Sequence, residues 1–261
     1  MRILFVSRRM LVNLSLLGVV VCLVGVLKLL GGSPTVTAWV SAGLEAGQAP
    51  LFLAGNPQNQ AVSLLVQLGA ECDEQQLGQM LHILADNSAK ATFFVPGQLA
   101  EKQPELLKSI LAGGHQLGCC GYDDTSPAQL SLAENRAALE RACALIEQAG
   151  GERPSVYLPP CGVTEADIRR AVAEAGLVFV LGGVDSGDWQ AAEPEEIIAA
   201  VLAKAEAGSF ISLHLGENTL TALDTLLQEL AAQDLGFCTV SENLLGVQAD
   251  AGQPEAEEPA K

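Results

Sequence analysis

Positive charge is scarce in this chain. Fourteen lysines and arginines stand against 31 aspartates and glutamates, a formal net charge of -17. Arg2, Arg8, Arg9 and Lys28 fall in residues 1–30, which hold no acid, so the rest carries ten basic against 31 acidic residues. No basic surface is available to neutralise phosphates, which excludes nucleic acid and sets the chain against anionic polymers. Histidine is rare, with three residues. The seven cysteines include no C-x-x-C pair, so the usual zinc or dithiol signature is missing.

What is present is first of all length, since 261 residues suffice for one sizeable core. Residues 10–30 are apolar except for Asn13, Ser15 and Lys28. That length matches the roughly 20 residues needed to cross a bilayer. Arg8 and Arg9 precede it, so the positive-inside rule puts residues 1–9 in the cytoplasm and everything after 30 outside. The reading is a single-pass cell-membrane protein with an uncleaved signal anchor; a cleaved signal peptide is the alternative. Residues 31–60, with Gly31, Gly32, Pro34, Pro50 and Pro57, read as a linker, some of it free to pack on the domain. Residues 61–247 read as the domain, and the Ala/Glu/Pro/Gly-rich residues 248–261 as a disordered acidic tail.

Within the domain, apolar or β-branched runs near 62–68, 91–95, 116–120, 155–158, 177–182, 209–213 and 236–240 predict seven strands. Helical patterns fill 74–87, 98–113, 127–149, 164–176, 194–207 and 217–234. This alternation predicts an α/β fold with a parallel sheet and right-handed crossovers. An open doubly wound sheet and a barrel both satisfy it.

Five fragments follow one another at strand ends. They are Ala-Thr-Phe-Phe-Val-Pro-Gly at 91–97, Gly-His-Gln-Leu-Gly at 114–118, Leu-Pro-Pro-Cys-Gly at 158–162, Val-Asp-Ser-Gly-Asp-Trp at 184–189 and Ile-Ser-Leu-His at 211–214. In this order and spacing the chain resembles the NodB-type polysaccharide deacetylases, carbohydrate esterase family 4, over about residues 62–245. The resemblance implies an irregular (β/α) barrel of about seven parallel strands, with chemistry at the C-terminal strand ends. It also implies a metal-dependent hydrolase of amide C–N bonds in envelope glycans, and a cell-wall or sporulation role.

The chain departs from the family where the metal would be held. The family's aspartate motif, T-F-D-D-G, places its base at Gln67. The two histidines of H-x-x-x-H fall on Cys120 and Asp124, and the arginine of R-P-P-Y-G on Leu158. A glutamine cannot take a proton from a metal-bound water. Losing Gln67's acid and Leu158's arginine together avoids a buried unpaired charge. Asp185 and His214 stand where the family keeps catalytic groups, with Asp185 a candidate to hold His214 as an imidazolium. Trp189, Pro159 and Pro160 are the candidate substrate-binding residues.

Three function readings follow. The first is a catalytically impaired, membrane-anchored family member that binds peptidoglycan, another envelope glycan or an envelope protein. The second is an active deacetylase with an altered metal site. The third is a thiol-rich metal or redox module, in which Cys120 and Asp124, with His214 or Cys72, hold zinc, or Cys72 and Cys161 form a disulfide. Against the third, small cysteines can simply fill a vacated pocket, and the reading with no cofactor is preferred. Adjacent Cys119 and Cys120 point to opposite faces of a strand, so only one can face the pocket. Cys143 and Cys238 read as core.

Overall fold

The computed structural model describes residues 47–190 and 192–245, without the side chain of Cys161. The expected membrane segment at 10–30, the start of the linker and the tail at 248–261 lie outside the described residues, as does the side-chain environment of Cys161. Among the described residues no helix is long and apolar enough to cross a membrane.

The strands are β1 (Leu51–Phe52), β2 (Ala61–Gln67), β3 (Ala91–Val95), β4 (Gln116–Cys119), β5 (Val156–Tyr157), β6 (Val178–Val180), β7 (Val184–Asp185), β8 (Phe210–His214) and β9 (Gly236–Phe237). The helices are α1 (Glu74–Asp86), α2 (Gly97–Lys102), α3 (Pro104–Ala112), α4 (Leu132–Gly150), α5 (Ala166–Glu174), α6 (Pro194–Leu202), α7 (Glu217–Ala232) and α8 (Val240–Asn243). Neighbouring strands run in the order β1-β6-β5-β4-β3-β2-β8-β7, with β9 on the start of β2. The ladders between them are parallel. The result is a parallel-strand α/β half-barrel. Beyond the seven expected runs it holds β1, from within the expected linker, and β7; each is two residues long.

The central strands are covered on both faces over most of their length, so they read as largely apolar runs. Six of the seven residues of β2 are buried, up to Gln67. Outward side chains such as Leu64, Phe93, Cys119, Tyr157 and Ile211 pack with the helices. Inward side chains such as Leu65, Phe94, Cys120, Val156, Leu158 and Phe210 form a second, inner core. Gly118 is small because a Cβ there would sit 2.6 Å from the Phe94 ring.

Two expectations change. The helix expected over 98–113 is two helices, because Pro104 lacks the N–H that would continue α2 and instead opens α3. The run at 236–240 supplies only β9 before Thr239 caps α8, its hydroxyl accepting from the Glu242 N–H. Helix α8 then closes the N-terminal end of the barrel. There the Val240 N–H donates to Thr92 Oγ1 at 2.9 Å, Gln116 Nε2 to Ser241 Oγ at 2.6 Å, and Asn243 Nδ2 to Ser63 Oγ at 3.0 Å. The polar floor leaves the opposite end for the site.

Candidate active site at the C-terminal strand ends

Strand register brings the first two site residues together. Gln67, last in β2, is the lateral partner of His214, last in β8. Leu158 follows β5 directly and is only 5% exposed. With Pro159, Asp185 and Trp189 these residues line a cavity of about 620 Å3. Six of the nine expected site residues therefore share one cavity. Pro160, Cys120 and Asp124 are not on it. Pro160 is buried in the turn Pro160–Gly162, where its fixed φ starts a 3-10 helix. Leu68, which follows Gln67 in the place of the motif's second aspartate, is buried as well.

The structure changes the partner of His214. Asp188, not Asp185, holds it. The His214 ring Nδ1 lies 2.8 Å from Asp188 Oδ1, and the His214 N–H donates to Asp188 Oδ2 at 2.6 Å. The Thr219 hydroxyl, in the first turn of α7, donates to the same oxygen at 3.0 Å. The Asp188 side chain is 1% exposed. Burial alone would raise its carboxyl, but the bonds from the His214 ring and backbone and from Thr219 outweigh it and leave the carboxyl below its ordinary value. Held at Nδ1, the imidazole is fixed in tautomer and orientation.

Asp185 does another job. Its Oδ1 accepts the Gly187 N–H at 2.9 Å and its Oδ2 accepts Trp189 Nε1 at 3.3 Å. Gly187 sits at φ +74, a left-handed turn that glycine adopts without penalty. This turn sets Trp189 on the cavity rim, 61% exposed, so its indole face is open to a ligand. The Val-Asp-Ser-Gly-Asp-Trp string was visible in the sequence. Which aspartate reaches the histidine depends on the turn, and Thr219 carries no local signal at all.

The other polar candidates have structural partners. His115 Nδ1 accepts the buried Ala91 N–H at 3.2 Å, its ring edge packs on Phe93, and burial lowers its pKa. Asp73 caps α1 by accepting the N–H groups of Gln75 and Gln76. His82 is exposed, 3.5 Å from Asp86.

The residues at the metal positions do not fit a hydrolytic metal. Zinc wants about three nitrogen, sulfur or carboxylate donors on one centre, with the thiol as thiolate. Cys120 is 4% exposed, and burial first and Asp124 second push its thiol far above the ordinary range. Its neighbours in the inner core are Phe94, Val156 and Leu158. Asp124 is on the surface. Among the described residues no three histidine, cysteine, aspartate or glutamate side chains cluster as a ligand set. Cys72, with its thiol raised to about 11 by burial and by Asp73, contacts the Asp73 carbonyl beside α1.

The polysaccharide deacetylase profile matches residues 54–180. The chain is 29% identical over 202 residues to the uncharacterized protein YlxY of Bacillus subtilis, spanning 77% of this chain and 63% of YlxY. It is 31% identical over 172 residues to a peptidoglycan-N-acetylglucosamine deacetylase of Bacillus cereus, spanning 64% of this chain and 80% of that one. The crystal structure of BA3943 from Bacillus anthracis, described as a family 4 carbohydrate esterase pseudoenzyme, superposes with a TM-score of 0.71 at 25% identity, over 74% of this chain and 68% of that one. This chain belongs to the polysaccharide deacetylase family.

Proposed function

We propose that this protein is a membrane-anchored member of the polysaccharide deacetylase family that binds a cell-envelope glycan without hydrolysing it. One observation carries the reading: Gln67 and Leu158 face the same cavity as Trp189 and His214. The cavity, the indole and the Asp188–His214 pair remain, while the general base and its cationic partner are replaced by a neutral amide and an aliphatic chain. Across from His214 stands Gln67, a neutral amide that cannot take a proton from water.

The glycan assignment draws on the relatives. The Bacillus cereus protein is named for its action on peptidoglycan N-acetylglucosamine, and the cavity offers the stacking surface and the amide and hydroxyl groups a sugar needs. The apolar residues 10–30, with Arg8 and Arg9 before them, support a single-pass anchor with the domain outside the membrane. A cell-wall role, including one in sporulation, fits that placement.

Cosedimentation with purified peptidoglycan in the presence of a chelator tests the reading. The chain should pellet with the sacculi without metal, and Trp189→Ala should weaken binding about five- to tenfold. No cosedimentation, or binding that vanishes with the chelator, would overturn it.

A further inference from the structure

The charge of the cavity selects among envelope glycans. Two carboxylates belong to this corner of the fold. Asp188 is buried and occupied by His214 and Thr219. Asp185 is exposed on the rim. It accepts one N–H on each oxygen, from Gly187 and from Trp189. A carboxylate has about four acceptor positions, so it can still take a further donor. Among the described residues lining the cavity there is no lysine or arginine. Leu158 stands where the resemblance would put an arginine, and that substitution strips the cavity of its one expected fixed cation. The described residues 47–245 hold nine basic against 26 acidic residues. Such a field draws cations in and turns anions away.

A ring-shaped ligand that carries a cation meets this description. The open indole of Trp189 takes the ring face, and a positive charge near an indole is attracted by its π-system. The Asp185 carboxylate, anchored to that same indole, lies within reach of whatever stacks there. An N-acetyl hexosamine offers the stacking face and neutral donors, but no charge to meet the Asp185 carboxylate. Its de-N-acetylated form offers both, because loss of the acetyl group leaves an ammonium at neutral pH.

We propose that the cavity prefers a de-N-acetylated amino sugar within a glycan, with Trp189 taking the sugar face and Asp185 the ammonium. This rests on the glycan-binding reading above. It makes the protein a reader of the product of amide hydrolysis on N-acetyl hexosamines. The reaction class that supplies its ligand is the one its own cavity has lost the groups to perform.

The test uses the full chain in detergent at pH 6 and physiological salt, by titration calorimetry. The probes are a β-1,4-linked N-acetylglucosamine tetramer and the corresponding fully deacetylated glucosamine tetramer. The deacetylated tetramer should bind about tenfold more tightly, the value of one charge-assisted contact at a partly exposed site. Asp185→Asn should bring the ratio of the two affinities to within about twofold, and Trp189→Ala should weaken both. Circular dichroism spectra matching the parent would show that both variants are folded. Equal binding of the two tetramers, or tighter binding of the acetylated one, overturns the proposal and leaves glycan binding standing. A preference that survives Asp185→Asn also overturns it, and assigns the effect to general surface acidity. No binding of either tetramer, together with no binding to peptidoglycan, removes both readings.

Discussion

Replacing Asp188 by asparagine tests the pair on which the site is built. The carboxylate receives three donors at 2.6 to 3.0 Å: the His214 N–H, the His214 ring and Thr219. An asparagine oxygen at the Oδ2 position keeps the two donors that meet there. Its NH2 then faces His214 Nδ1 and forces the ring to accept, which moves the ring proton to Nε2. One charge-assisted bond becomes a neutral one, a loss of about 1.5 kcal/mol. Asp188→Ala removes both acceptor oxygens, and with them all three bonds, and should cost about 3 kcal/mol, since the donors lose their partner. Urea unfolding at pH 7 measures both. The sign of the pH dependence follows from the depressed carboxyl of Asp188. Its stabilisation is present above the ordinary aspartate value near pH 4 and is lost as pH falls through the lower native value. Asparagine does not titrate, so the gap between parent and Asp188→Asn should be full at pH 7 and close as pH falls through the lowered native value of Asp188. A gap that stays constant as pH is lowered until the parent is fully protonated at its carboxylates, or an Asp188→Ala variant as stable as the parent, would refute this account of the pair.

Two further predictions concern the walls of the site. Leu158→Arg should destabilise by about 3–5 kcal/mol, because it buries an unpaired charge beside the inner core, and Gln67→Asp in the same chain should restore part of that loss; a double-mutant cycle by thermal unfolding checks it, and a strictly additive result would mean the two positions do not couple. Tyr157→Phe should leave stability unchanged or raise it by up to about 1 kcal/mol, because the Tyr157 hydroxyl is buried without a hydrogen-bond partner among the described residues; a loss above about 1 kcal/mol would show that the hydroxyl is partnered in solution.

The parts of this fold that were legible in the sequence are those with a physical reason to repeat. Strands β2, β3 and β8 are buried over most of their length and so appear as largely apolar runs. Alternation along a strand correctly separates Cys119, which faces the helices, from Cys120, which faces the barrel interior. Strands β1 and β7 have two residues each, too few for any period to show. At the site, motif spacing led to Gln67, Leu158 and His214 because each ends or directly follows a strand. The assignment of Asp185 to His214 could not be checked by spacing. A five-residue turn through Gly187 decides which carboxylate faces inward, and Thr219 arrives from a helix 31 residues beyond Asp188.

The central claim is that this cavity holds a glycan it cannot cut, and the direct measurement is acetate release. The purified chain would be given an N-acetylglucosamine oligomer and peptidoglycan with zinc, cobalt or manganese supplied, and acetate would be quantified over hours. The account predicts release no greater than from the heat-denatured chain, because Gln67 cannot act as a base and Cys120 and Asp124 do not form a metal site. Metal-dependent release that is abolished by His214→Ala would contradict it, and would make this protein an active deacetylase with a rewritten metal site.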